Sequence, residues 1–162
     1  MCLTLPKHPS LVAPKSPTKV LKAYYFSLHG NDMQLTPLFR GKKFNLRKDM
    51  TIVSNRTSST VSDEERKSGI ITLGLHGFTT LSKLKDYLQE IIGAGRYSNI
   101  IILEFLGRPD QFVAKGDKGD IVFHKLEFQK IVTVKPSNTI MFSDKSLDAY
   151  DKYLNGQIEI LV

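Results

Sequence analysis

The chain has 162 residues, 41% hydrophobic and 24% charged, a balance that fits one folded domain and excludes wholesale disorder. A single cysteine, Cys2, excludes an intramolecular disulfide and the usual thiolate zinc sites, and it leans the chain toward a reducing, cytoplasmic compartment. The formal charge of +7 and the pI of about 9.5 favour acidic partners, nucleic acid among them, without singling one out.

The start, MCLTLPKHPS, carries prolines and a lysine where a signal peptide needs an unbroken apolar run. Apolar runs such as Ile100 to Leu103 fall far short of the roughly 20 residues that cross a bilayer, so no membrane association is expected. Residues 1–18 contain Pro6, Pro9, Pro14 and Pro17, with Lys7 and Lys15 and no acid, which predicts an extended, weakly ordered arm. Its ordinary reading is a solvated tail. Its functional reading is an arm laid on a partner subunit or a phosphate backbone.

Residues 19–162 read as one globular domain. Val20 to Leu28 is rich in β-branched and aromatic residues and predicts a strand, stopped by the turn Gly30-Asn31-Asp32. Short strands are expected at Gln34 to Phe39, Lys43 to Leu46 and Thr51 to Ser54. The polar stretch Asn55 to Ser68 lacks apolar periodicity and is expected to be a mobile surface loop. Ile70 to Phe78 predicts a strand that leads into the clearest helix. There Leu81, Leu84, Leu88, Ile91 and Ile92 recur at spacings of three and four, with Thr80 as N-cap and Gly93 and Gly95 as terminators. Asn99 to Leu106 is apolar at nearly every position, as in a strand covered on both faces. A turn at Asp117 to Asp120 and a long strand, Ile121 to Val134, follow, with Val122, Leu126 and Phe128 as core candidates. A short helix from Ser143 to Leu154 and a strand in Gln157 to Val162 complete an α+β chain: a mainly antiparallel sheet, one central amphipathic helix and a short C-terminal one.

No P-loop, HExxH, CxxC pair or GxSxG elbow is present, and neither a metal nor a cofactor is expected. Gly93-Ala94-Gly95 follows a helix, so it reads as helix termination and not as a dinucleotide loop. Of four dispersed histidines, His8 lies in the arm, His29 beside a turn and His124 in an alternating strand, where a paired or half-exposed ring is expected. His76 stands in Gly74-Leu75-His76-Gly77-Phe78 just before the main helix. It fits either an anion at a helix N-terminus or a tight connection in which the ring bonds a carbonyl. Glu104 interrupts the run IIILEFL, so it is either a catalytic carboxylate or a group pointing out where the sheet becomes wet.

Arg40, Lys42, Lys43, Arg47 and Lys48 are interleaved with Phe39 and Phe44. On a hairpin such charges form a stripe that suits a nucleic-acid backbone, with Phe44 as a ring for base stacking. A solvated edge protected from aggregation by its charge is the competing reading.

Several stretches resemble a loose family of small bacteriophage and prophage proteins: the opening MCLTLPKHP, the strand KVLKAYYF, the segment QLTPLFRGKKF and the Gly-x-His-x-Phe signature in GLHGFTTLSKLKDYL. NIIILEFL, KGDKGD and IVFHKLEFQKIV continue the likeness, which spans most of residues 1–132. It implies a phage-type source and carries no activity. The expected function is an accessory or interaction protein that binds a host or virion protein, or nucleic acid, through Arg40, Lys42, Lys43, Phe44, Arg47 and Lys48 and the arm. A second expectation comes from a resemblance to the ADP-ribosyltransferases, whose split sheet holds NAD. It implies His76 with Glu104 or Glu127 as catalytic groups. A third is a virion structural component whose arm latches onto a neighbouring subunit. The residues leave oligomeric state open.

Overall fold

In a computed structural model, residues 3–6, 11–29, 32–38, 41–47, 49–92, 100–132 and 160–161 are described. The predicted C-terminal helix and the glycines expected to end the central helix lie outside them.

The frame of the molecule is the twelve-residue strand β2 (Thr18–His29), which follows the two-residue β1 (Leu3–Thr4). Along one edge β2 pairs antiparallel with β8 (Ile100–Gly107), from Thr18 opposite Gly107 to Tyr25 opposite Ile100. Its other edge is shared. Leu21 pairs with Phe78 of β7 (Leu75–Phe78), whereas Tyr24 to His29 pair with β3 (Asp32–Pro37). The sheet therefore forks beside Lys22. One branch runs through β7 to β10 (Asp120–Phe123) and β9 (Phe112–Lys115). The other passes from β3 to β4 (Phe44–Asn45). Beyond β8 lies β11 (Lys125–Val132), whose free edge takes β5 (Thr51–Val53) antiparallel and β12 (Ile160–Leu161) parallel. The described chain is thus α+β with a mostly antiparallel sheet.

Period-two patterning accounts for the core. Val20 and Tyr24 of β2 stand opposite Phe105 and Ile101 of β8, and all four are buried. Ile100 to Leu103 are buried on both faces, as their unbroken apolar run implies. The expected core residues Val122, Leu126 and Phe128 are also buried. The helix α2 (Leu81–Ile92) starts at Thr80, whose Oγ1 accepts from Lys83 N at 3.3 Å. It buries Leu84 and Leu88, worth about 1.5–3 kcal/mol each, and its Tyr87 ring meets Phe78 at 5.1 Å. Ile91 lies at the margin of the apolar stripe and is 38% exposed.

Three local expectations are corrected. The segment 55–68 contains a helical turn, α1 (Asp63–Ser68), closed by a capping box between Ser62 and Glu65 and ended at Gly69. The predicted strand Ile70 to Phe78 is two strands, β6 (Ile70–Ile71) and β7, separated by a turn at Gly74 (φ 136°). The predicted strand Ile121 to Val134 breaks at His124, whose N–H donates to Gln111 O and whose carbonyl accepts from Ser54 N. That break lets β10 stay with β7 while β11 turns across to β8.

Residues 3–6 of the arm are docked and not a solvated tail, whereas Val12 and Lys15 to Pro17 are exposed. Leu3 and Leu5 are buried in a second apolar cluster with Val61, Ile71, Val113, Ala114 and Val122. Burial of those two side chains outweighs the extended, proline-rich character of the segment.

Candidate functional site

The basic segment is held by pairing of β3 with β4, Leu35 opposite Phe44 and Gln34 opposite Asn45. Leu46 N donates to Met33 O at 2.8 Å and continues the alignment. Alternation turns Phe44 and Leu46 inward, and Leu46 is fully buried. The Phe44 ring meets Tyr24 edge-on at 5.4 Å, an apolar anchor beneath the charges. Lys42, Lys43 and Arg47 are exposed, and Arg47 also donates to Leu46 O. Arg40 and Lys48 lie outside the described residues. No acidic residue occurs between Asp32 and Asp49 in the sequence, so the segment itself is of one sign.

The catalytic candidates are dispersed. His76 sits on β7 opposite Val122, 8% exposed. Its Nε2 lies 3.3 Å from Thr72 O, and because a carbonyl only accepts, Nε2 carries the proton. Nδ1 is left as a buried acceptor with no partner among the described residues. The ring makes the carbonyl contact of a tight connection. Burial, reinforced by the positive charge of Lys22, lowers the His76 pKa to about 4.

Glu104 stands mid-strand on β8, between Leu21 of β2 and Lys130 of β11, with its carboxylate 4.0 Å from the Lys130 amine. Its strand is central, so it marks no wet sheet edge. Glu127 lies opposite Leu106 and is bound by Arg108 through Nε and, at 3.2 Å, Nη2. The two carboxylate residues are diagonal neighbours, roughly 7–8 Å apart. The strand of His76 lies two strand spacings from that of Glu104, roughly 10 Å, with Leu21 between them.

Three arrangements escaped sequence reasoning. Lys22, at the fork, donates from Nζ to His76 O at 2.5 Å and lies 5.7 Å from the centre of the Tyr24 ring. Burial lowers its pKa to about 8. A signal existed, because Lys22 shares strand parity with the core residues Val20 and Tyr24. Ser54 Oγ lies 2.9 Å from His124 Nδ1 and accepts from Arg56 N at 3.3 Å. Arg56 itself, its side chain only 6% exposed, binds both Glu65 oxygens and the carbonyls of Ser58, Thr60 and Leu73. No spacing in the chain announces either contact, since their partners lie on different elements.

The His76 environment makes stability depend on pH. Its folded pKa of about 4 lies below the ordinary 6.5, so the unfolded chain binds the proton first. Stability is complete above about pH 6.5 and falls as pH drops toward 4, by about 3 kcal/mol at 1.4 kcal/mol per unit. Urea unfolding across pH 7.5 to 5 should show this slope, and His76→Gln, which keeps a donor toward Thr72, should flatten it. An unchanged slope in the variant would assign the titration elsewhere.

No protein-family model matches the chain, and neither do any curated protein or solved structure. Among the described residues no group of three or more His, Cys, Asp or Glu is placed to hold a metal ion, and no helix is long and apolar enough to cross a membrane.

Proposed function

We propose that this protein is an accessory interaction protein that binds an acidic macromolecular partner through the basic face around β4. The exposure of Lys42, Lys43 and Arg47 over the half-buried Phe44 and the buried Leu46 carries this reading. The charges flank the two-residue strand β4, whose pairing with β3 anchors their backbone. By contrast, His76 is packed against its own backbone neighbours, while Glu104 and Glu127 face Lys130 and Arg108. That dispersal favours binding over the ADP-ribosyltransferase-like alternative. A phage-type protein working in the host cytoplasm, as the MCLTLPKHP and GLHGF stretches suggest, fits this role.

The test is a pull-down from host lysate at two salt concentrations, with and without nuclease, using the parent and the variant Lys42→Glu/Lys43→Glu/Arg47→Glu. A partner retained by the parent is expected to be lost by the variant. If the partner is nucleic acid, removal of three phosphate contacts should reduce the log–log salt slope by about 2–3. Equal retention by parent and variant would reject the basic face as the binding surface.

A further inference from the structure

We infer that β6 is a strand-docking site shared between copies of the chain, in which Leu3–Leu5 of one copy pairs with Ile70–Ile71 of a second to give an arm-exchanged dimer. The docking is fully specified by three residues. Leu3 lies opposite Ile71, Thr4 lies opposite Ile70, and Leu5 N donates to Gly69 O at 2.8 Å. Leu3 is wholly buried and Leu5 is 8% exposed, both against Val61, Ile71, Val113, Ala114 and Val122. This two-stranded sheet shares no ladder with the ten-stranded one, so the arm is attached to the body by this dock and by residues 6–17, of which Leu11 packs against the same cluster and Ala13 against the main core. That connection contains Pro6, Pro9, Pro14 and Pro17, and its Val12 is 80% exposed.

The contacts of Leu3–Leu5 are the same whether the arm belongs to the body it touches or to a neighbour. Only the connecting segment tells the two states apart. Closing it within one chain costs entropy, and prolines restrict the conformations that can close it. A second copy competes as its concentration approaches the effective concentration of a tethered arm, on the order of millimolar. Two copies that each donate and accept one arm form a closed twofold pair, with no further docking sites open. Neither Leu3–Leu5 nor Ile70–Ile71 carries a charge, so the docking does not draw on the basic face.

The Thr4–Ile70 pair offers the test. Because Leu5 and Gly69 form a hydrogen-bonded pair, Thr4 and Ile70 form the non-hydrogen-bonded pair beside it, with Cα atoms about 4.5 Å apart. That separation suits a disulfide, and both side chains are exposed. In a Cys2→Ser background, a Thr4→Cys chain is mixed with an Ile70→Cys chain and oxidised at about 1 mM and about 1 µM. A covalent heterodimer is expected at the high concentration only, and it should disappear when Leu3→Ala and Leu5→Ala are added. The chain carrying both Thr4→Cys and Ile70→Cys should close within itself when dilute. Heterodimer absent at 1 mM while that chain closes internally would overturn the exchange. So would heterodimer that persists without the two leucines, or a double-cysteine chain that never cross-links.

Discussion

Glu65→Ala is expected to lower the free energy of unfolding by about 3–5 kcal/mol, a cost set by the cation it leaves behind. Arg56 is nearly sealed from water, and Glu65, 18% exposed, binds both its Nη1 and Nη2. The remaining donors of Arg56 satisfy the carbonyls of Ser58, Thr60 and Leu73, so one guanidinium ties together a segment that has little apolar content of its own. Removing Glu65 strands that charge and also opens the capping box of α1. In urea the midpoint should fall by at least about 1 M. The double variant Arg56→Met/Glu65→Leu should recover part of the loss, because no charge remains buried, but only part, because three carbonyls lose their donor. A loss under about 1 kcal/mol for Glu65→Ala would place the pair among ordinary solvated surface pairs. The hydrogen bond from Arg56 also holds the Glu65 carboxyl below its usual 4.5. This contribution is therefore complete above about pH 4.5 and lost as pH falls below it, a lower window than that of His76.

Gly77→Ala should be the second most damaging substitution. A β-carbon at Gly77 would stand 2.5 Å from Val20 Cγ1 and 2.9 Å from the carbonyl oxygen of Leu21. A side chain can rotate away, whereas the Leu21 carbonyl is part of β2 and cannot move without parting β2 from β7. The expected cost is about 1–3 kcal/mol, the usual range for overpacking a fixed site. Parting the strands would also break the bond from Lys22 to His76 O and return water to the Lys22 amine. Hydrogen exchange should then rise at Leu21 and Phe78 before it rises in β8 or β11. A variant that melts with the parent and exchanges no faster would mean that β7 does not lie against β2 in this register.

The Gly-x-His-x-Phe stretch shows how far local reading reaches. Two glycines around a histidine signalled a tight connection, and the carbonyl contact of the ring was one of two outcomes open to it. Which neighbours forbid a β-carbon was not legible: Gly74 would place one 2.4 Å from Val122 Cγ1, on a strand far along the chain. The segment 55–68 illustrates the converse. Its lack of apolar periodicity pointed to a loop, yet Ser62-x-x-Glu65 is a capping box readable from residue types alone. Only the partnership of Glu65 with Arg56 is invisible locally. At the basic segment the alternation was legible, but the role of Phe44 was not, because its contact with Tyr24 depends on β4 reaching β2 by way of β3.

Residue types and their spacing set the α+β class, the inward face of α2 and the exposure of Lys43 and Arg47 opposite Phe44 and Leu46. These follow from side-chain alternation at period two or 3.6, which needs no knowledge of distant residues. The tertiary structure alone decided where β2 forks, why β10 and β11 part at His124, which cation seals Glu65 and where Leu3 and Leu5 dock. Each of these joins residues far apart in the chain, and strand periodicity tells which face a residue occupies without telling which strand will lie beside it.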